Sequence, residues 1–180
     1  MSSRREALLD AAETVLERDG LEDFGVGALA REAGVKPPSL YKHFSGIAEI
    51  EHALISRWFR RLALALGASE RACADMDAES RLNAFAASYR AAAAEAPQLY
   101  RLATERPLQR GLLEAGVEEQ AMGALLRFFG ETLEQHDRAR LLWAAAHGLV
   151  ALELAGRYPP GADVDSAWAL LARTFAGAEP

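Results

Sequence analysis

The chain has 180 residues, a formal net charge of −6 and 51% hydrophobic residues, which excludes a disordered chain and an indiscriminate polycationic coat on nucleic acid. Cys73 is the only cysteine, which excludes an internal disulfide and a cysteine-based zinc site. The only two lysines, Lys36 and Lys42, stand within seven positions of each other. The longest apolar run, Leu141–Leu152, contains His147 and Gly148 and is shorter than the ~20 residues a bilayer span needs. A cytoplasmic protein with no membrane partner is expected.

Stripes at helical spacing recur and sustained alternation does not, so the expected fold class is all-α. Ser3-x-x-Glu6 predicts a capping box opening a helix with the stripe Leu8, Ala12, Val15 and Leu16, closed by Asp19-Gly20. Val26, Leu29, Ala30 and Ala33 predict a short second helix, and Gly34 a tight turn after it. Pro37 and Pro38 fit the first turn of a third helix, where a missing N–H costs nothing. Leu40 and Phe44 then point inward, Ser39, Lys42 and His43 outward, with Tyr41 at the edge. A long helix over 47–66 carries Ile50, Leu54, Trp58, Leu62 and Leu66, followed by a polar loop over 67–77. Further helices are expected over 78–95, 97–106, 117–134, 138–157 with Asp137 as N-cap, and 165–176.

Two short helices joined by a glycine turn, with basic residues on the second, describe a helix-turn-helix. A helix fits the major groove, and its exposed side reads base edges and phosphates. Arg31, Lys36 and Lys42 face only Glu32 in this stretch. The string Leu29-Ala30-x-x-Ala33-Gly34-Val35-x-x-x-x-Leu40-Tyr41-x-His43-Phe44 resembles the TetR family of transcriptional regulators over about residues 4–66. The variant Lys36–His43, together with Trp143-Ala-Ala-Ala-His147-Gly148, resembles a subgroup with a Trp-x-x-x-His-Gly signature in its C-terminal domain.

The resemblance implies an N-terminal three-helix helix-turn-helix domain, residues 1–46, joined by a long helix to a C-terminal helical effector and dimerisation domain within 47–180. It implies a homodimer on palindromic double-stranded operator DNA, released by a small effector. Lys36, Pro38, Ser39, Tyr41, Lys42 and His43 are the expected DNA contacts. The chain departs from the family pattern at Gly25, Gly27 and the stretch Ser45-Gly46-Ile47-Ala48-Glu49, where polar or lysine contacts to phosphate are common. Each lost phosphate contact flattens the salt dependence by about one counterion; Arg4, Arg5 and backbone amides are the expected substitutes.

In the C-terminal part, Phe85, Tyr89, Met122, Phe129, Trp143 and His147 are the expected ligand-binding residues; the same positions also read as plain core, and His147 as a core histidine holding a neighbouring helix. Few polar groups accompany them, so a mostly apolar effector is expected. The helix around 141–152 is apolar on two sides. A partner subunit covering Leu141, Ala145, Gly148, Leu149 and Leu152, with Trp168, Leu171 and Phe175, is the expected dimer interface.

Two other patterns carry less. Gly25-x-Gly27-x-x-Ala30 has dinucleotide-binding spacing but no preceding strand. Glu49-x-x-His52 has the spacing of one half of a di-metal site, and no second pair occurs. No carboxylate pair, Ser/His/Asp set or Cys/His set stands out, so no enzyme, metal or cofactor is expected. The alternative function is a dimeric small-molecule-binding helical protein with weak or lost DNA binding.

Overall fold

The computed structural model describes residues 3–129 and 132–177, and no strand occurs among them. The helices in chain order are α1 (Arg4–Asp19), α2 (Val26–Glu32), α3 (Pro37–Leu40), α4 (Ile47–Ala72), α5 (Ala78–Glu95), α6 (Pro97–Glu105), α7 (Val117–Phe129), α8 (Leu133–Leu154) and α9 (Val164–Ala176), with a 3₁₀ turn at Arg110–Leu112. The chain divides into two compact units. One is Met1–Arg60 with Ala96–Glu118, the other Arg61–Glu95 with Glu119–Pro180. This compact division is discontinuous in sequence, unlike the single boundary expected at residue 46.

In the first unit α1 packs on α2 and α6, and α2 on α3. The stripe Leu8, Ala12, Val15 and Leu16 is buried as expected. Ser3 caps α1 by accepting from the Glu6 amide at 3.2 Å. The Glu6 carboxylate also accepts from Arg57 Nη2 at 2.7 Å. Arg57 also reaches Asp10 at 2.8 Å and Glu13 at 3.2 Å, so one guanidinium gathers three carboxylates along α1. Gly20 and Gly34 take positive φ, 84° and 64°, which lets α1 and α2 end in tight turns.

Residues far along the chain complete this unit. Pro97 opens α6 and no side chain of α6 caps it. Glu17 of α1 does so instead, accepting from the Gln98 amide at 3.2 Å and the Leu99 amide at 2.8 Å, a carboxylate placed where the helix dipole favours it. Tyr100 meets Trp58 edge to face, with ring centroids 5.4 Å apart. His52 and Ser56, buried on α4, hold the segment after α6. His52 Nδ1 lies 2.7 Å from the Ala48 carbonyl, and Nε2 lies 2.9 Å from the Gln109 amide. Nε2 therefore accepts and Nδ1 carries the proton. Ser56 Oγ donates to the His52 carbonyl and accepts from the Glu114 amide at 3.0 Å.

In the second unit α5 packs on α8 and α9, and α8 on α9. Arg90 of α5 pairs with Glu153 of α8 and, at 2.6 Å, with Asp165 of α9. Arg138 donates to the Phe175 carbonyl at 2.8 Å.

Several boundaries differ from expectation. α4 does not stop at Leu66 but runs through Gly67 to Ala72; the flanking Ala63, Ala68, Glu70 and Arg71 favour helix, and one glycine costs only about 1 kcal/mol. The third helix is shorter than expected, since α3 ends at Leu40 and Tyr41–His43 continue as a hydrogen-bonded turn. α8 starts five residues earlier than Asp137 implied, because Thr132 and Gln135 form a reciprocal capping box. α7 ends at Phe129; Gly130 and Glu131, inside the helix expected over 117–134, lie outside the described residues.

Candidate nucleic-acid interface and apolar cavity

The turn between α2 and α3 sets up the candidate interface. Gly34 reverses the chain, the Val35 amide returns to the Ala30 carbonyl at 2.9 Å, and Pro37 and Pro38 start α3. Leu40 and Phe44 are buried, which fixes the opposite side outward. Lys36, Pro38 and Lys42 are exposed, Ser39 and His43 half-buried. Tyr41 is 55% exposed, so it stands on the outer surface and not at the edge of the core.

The charges around this face are sorted. Glu32, the acid nearest in sequence, is bound by Arg18 Nη1 at 2.6 Å, and Arg18 Nε binds Asp19 at 2.7 Å. Hydrogen bonding from Arg18 holds the Asp19 carboxyl below its ordinary range. Arg31, Lys36 and Lys42 have no carboxylate within 4 Å among the described residues. Arg5, an expected phosphate contact, is engaged instead: it binds Glu49 at 2.9 Å and lies over the Phe44 ring at 4.7 Å. Gly25 caps α2 without a side-chain hydrogen bond, and a Cβ at Gly25 or Gly27 would meet nothing within 4 Å. Space for a phosphate-contacting Ser or Thr therefore exists there, and the sequence leaves it unused.

The Glu49-x-x-His52 spacing is accounted for without metal. Glu49 accepts from the Ser45 amide at 2.7 Å and hydroxyl at 2.9 Å, and pairs with Arg5. These bonds, the Ser45 amide first, hold its carboxyl below the ordinary range against a small cost of burial. Both ring nitrogens of His52 are occupied as described above. No group of three or more metal-ligating side chains is found among the described residues. A polar cleft of about 270 Å³ lies against Arg5, Glu6, Ser56, Arg60 and Glu114. Its charges are already matched: Glu6 by Arg57, Arg5 by Glu49, and Arg60 by Glu114.

The second unit contains an apolar cavity of about 40 Å³. Of the expected ligand-binding residues, Phe85, Tyr89, Met122 and Trp143 line it. Trp143 is also 42% exposed, which places it at the rim. Phe129 does not line the cavity; it is buried against Phe128 and Phe175, at 5.1 and 6.3 Å, with Arg138 over its ring. His147 does not line it either, and stacks on Trp143 with centroids 5.9 Å apart. The lining the sequence reading missed is Leu62, Leu66, Leu82, Ala86, Leu125, Leu142, Ala146 and Leu171. Several of these stood in helical stripes that read simply as core.

The expected interface residues separate into two groups. Leu141 is 63% and Leu152 46% exposed, Ala145 is exposed, and Gly148 and Leu149 are half-buried. They form an outward apolar stripe on α8. The α9 residues face their own unit. Trp168 is 5% exposed, donates to Glu153 at 3.4 Å and lies under Arg90; Leu171 lines the cavity and Phe175 packs on Phe129. Trp168, Leu171 and Phe175 are the inward stripe of α9, and its outward apolar residue is Leu170, 57% exposed. The inward stripe of α8 is likewise Ala139, Leu142, Ala146 and Val150, which leaves Trp143 and Leu154 partly in solvent.

Two family models match, bacterial regulatory proteins of the tetR family over residues 8–54 and the tetracyclin repressor-like C-terminal domain over residues 82–175. The chain belongs to the TetR family. A helix-turn-helix transcriptional regulator of Mycobacterium tuberculosis is 30% identical over 157 residues, 84% of this chain and 71% of that protein. Among solved structures, a protein of unknown function from Rhodococcus sp. RHA1 is 29% identical, with a TM-score of 0.77 over 97% of this chain and 94% of its own. BioQ, solved with its natural double-stranded DNA operator, shares the fold at 20% identity, with a TM-score of 0.70 over 98% of this chain and 100% of its own. TetR-family members are transcriptional regulators rather than enzymes. No helix among the described residues of this TetR-family chain is long and apolar enough to cross a membrane.

Proposed function

We propose that this TetR-family chain is a repressor that binds palindromic operator DNA as a homodimer and is released by a small, mostly apolar effector. The observation that carries the reading is the outward face of Lys36, Ser39, Tyr41, Lys42 and His43, whose lysines have no carboxylate within 4 Å among the described residues. Free cations on an exposed helix-turn-helix are available to phosphates and base edges. In this reading residues 1–46 hold the DNA contacts and 47–180 the effector and dimer functions. The operator bound to BioQ supports the choice of partner. The stripe Leu141, Ala145, Gly148, Leu149 and Leu152 supplies a self-complementary surface for a second copy. The cavity around Phe85, Tyr89, Met122 and Trp143 takes the effector. Its present volume is far below the ~300–1,000 Å³ of ligand pockets, so binding parts the leucine and methionine side chains that line it. The Trp143-x-x-x-His147-Gly148 string supports a place in the subgroup with that signature.

Fluorescence anisotropy on DNA upstream of the chain's own gene, and on a pool selected from random sequence, tests the reading. Saturable, salt-sensitive and sequence-selective binding is expected; its absence from both refutes a DNA-binding repressor. The bare caps at Gly25 and Gly27 favour one second reading, a dimeric small-molecule binder with weak or lost DNA binding, which intact binding in the same titration excludes.

A further inference from the structure

A charged cluster stands beside the apolar cavity. Leu66 lines the cavity from α4, and Glu70 follows it by one turn; Arg81 of α5 does not line the cavity and reaches its wall through Phe128. Glu70 accepts from Arg127 of α7 at 2.9 and 2.6 Å. The Arg81 guanidinium lies 4.7 Å from the Phe128 ring centre. Phe128 stands edge-on, at 6.0 Å, to the cavity-lining Phe85. Hydrogen bonding from Arg127 lowers the Glu70 pKa against a cost of burial, and the charges of Arg127, Arg81 and Arg71 add to it.

The helices make room for this cluster. Gly67 and Gly123 lie inside α4 and α7, where glycine weakens a helix. A Cβ on Gly123 would come 2.9 Å from Arg127 Nη1, and one on Gly67 would come 3.4 Å from Arg71 Nη1. Each arginine folds back one turn over a glycine. The cluster is also unbalanced. Glu70 occupies Arg127, whereas Arg71 and Arg81 have no carboxylate within 4 Å among the described residues. Arg81 Nε is buried with no hydrogen-bond partner among them. A buried donor on a cation is costly to leave unmatched, and a guanidinium is best matched by a planar anion.

We propose that Arg81, assisted by Arg71, receives the head of the effector, and that the effector is a single-chain aliphatic carboxylate whose tail enters the cavity between Leu66, Leu82, Phe85 and Met122. The inference rests on the cavity being the effector site. A methylene chain is the narrowest apolar shape, and so needs the least parting of the side chains that wall a cavity of about 40 Å³. Glu70 shows that a carboxylate is accommodated here, and the two further guanidinium groups leave charge for a second one.

Equilibrium dialysis of dodecanoate and of 1-dodecanol, below micelle-forming concentration, against the full chain tests the proposal. Dodecanoate is expected to bind at least about tenfold more tightly, the gain of one charge-assisted hydrogen-bonded head. Arg81→Gln is expected to bring dodecanoate down to the level of the alcohol and leave the alcohol unchanged. Arg71→Gln, at an exposed position that cannot compromise the core, is expected to reduce the preference without abolishing it. Arg140→Gln, elsewhere on the surface, is expected to change neither. Equal binding of acid and alcohol to the natural chain overturns the head site and leaves the cavity reading intact. Binding of neither overturns both. A preference that survives the Arg71→Gln/Arg81→Gln double variant overturns the assignment to these residues, and binding of dodecyl phosphate without dodecanoate overturns the carboxylate class.

Discussion

Lys42→Ala probes the DNA face most directly. Lys42 is exposed and has no carboxylate within 4 Å among the described residues, so its loss leaves no buried charge unmatched and does not disturb the core. On a palindromic site a dimer loses two phosphate contacts. Each contributes about −0.9 to the slope of log Kobs against log salt, so the slope becomes shallower by about 1.8. Raising salt from about 50 to about 200 mM, a fourfold change, should then shrink the affinity ratio of natural chain to variant by about twelvefold. Anisotropy titrations of a labelled operator duplex at several salt concentrations measure both slopes. The loss should extend to unrelated duplexes, because a phosphate carries no sequence information. An unchanged slope refutes the phosphate assignment. A loss confined to the operator, again without a change of slope, moves Lys42 from the backbone to a base edge.

Leu141→Glu places a carboxylate in the exposed apolar stripe of α8 and, by two-fold symmetry, a second one opposite it. Sedimentation should show a monomer at concentrations where the natural chain is dimeric, and a persistent dimer removes this stripe from the interface. Ser56→Ala deletes the acceptor of the Glu114 amide and, because that amide borders a polar cleft open to water, should cost about 0.5–1.5 kcal/mol in urea unfolding; no loss means that the segment after α6 is held by other contacts. The carboxyl of Glu49 is lowered from its ordinary value of 4.5 by the Ser45 amide and by Arg5. The stability it contributes is therefore fully present above about pH 4.5 and is lost as pH falls through the lower folded value. Glu49→Gln should give a flatter stability profile on the acid side, and an unchanged profile refutes the linkage.

What the sequence disclosed was whatever is written locally. The Ser3 cap, the turn at Gly34 and the proline start of α3 depend on residues within a few positions of one another, and each was legible. The extent of α4 was not, since Gly67 and the polar residues after it read as a loop although Ala68, Glu70 and Arg71 favour helix. At the start of α8 two local signals competed, and the reciprocal Thr132–Gln135 cap prevailed over Asp137. The site residues divide in the same way. The reading face follows from the Gly34 turn, whereas cavity and interface depend on which side of a doubly apolar helix faces its own unit. Periodicity identifies the stripes Trp168–Leu171–Phe175 and Leu141–Ala145–Gly148 equally well. Only packing shows that the first is spent on its own core and that the second is left in solvent.

The bonds from Glu17 to the Gln98 and Leu99 amides, 81 and 82 residues away, set an order of events in synthesis. At about 5–20 residues per second, the start of α6 follows Glu17 out of the ribosome by roughly 4–16 s. For that interval α1 through the first half of α4 has neither the amides that hydrogen-bond Glu17 nor the Tyr100 ring that meets Trp58. A fragment ending at Ala72 keeps that condition permanently. The nascent head should therefore be a client for chaperones until α6 arrives, and truncation within the first unit should yield aggregation sooner than an independent reading head.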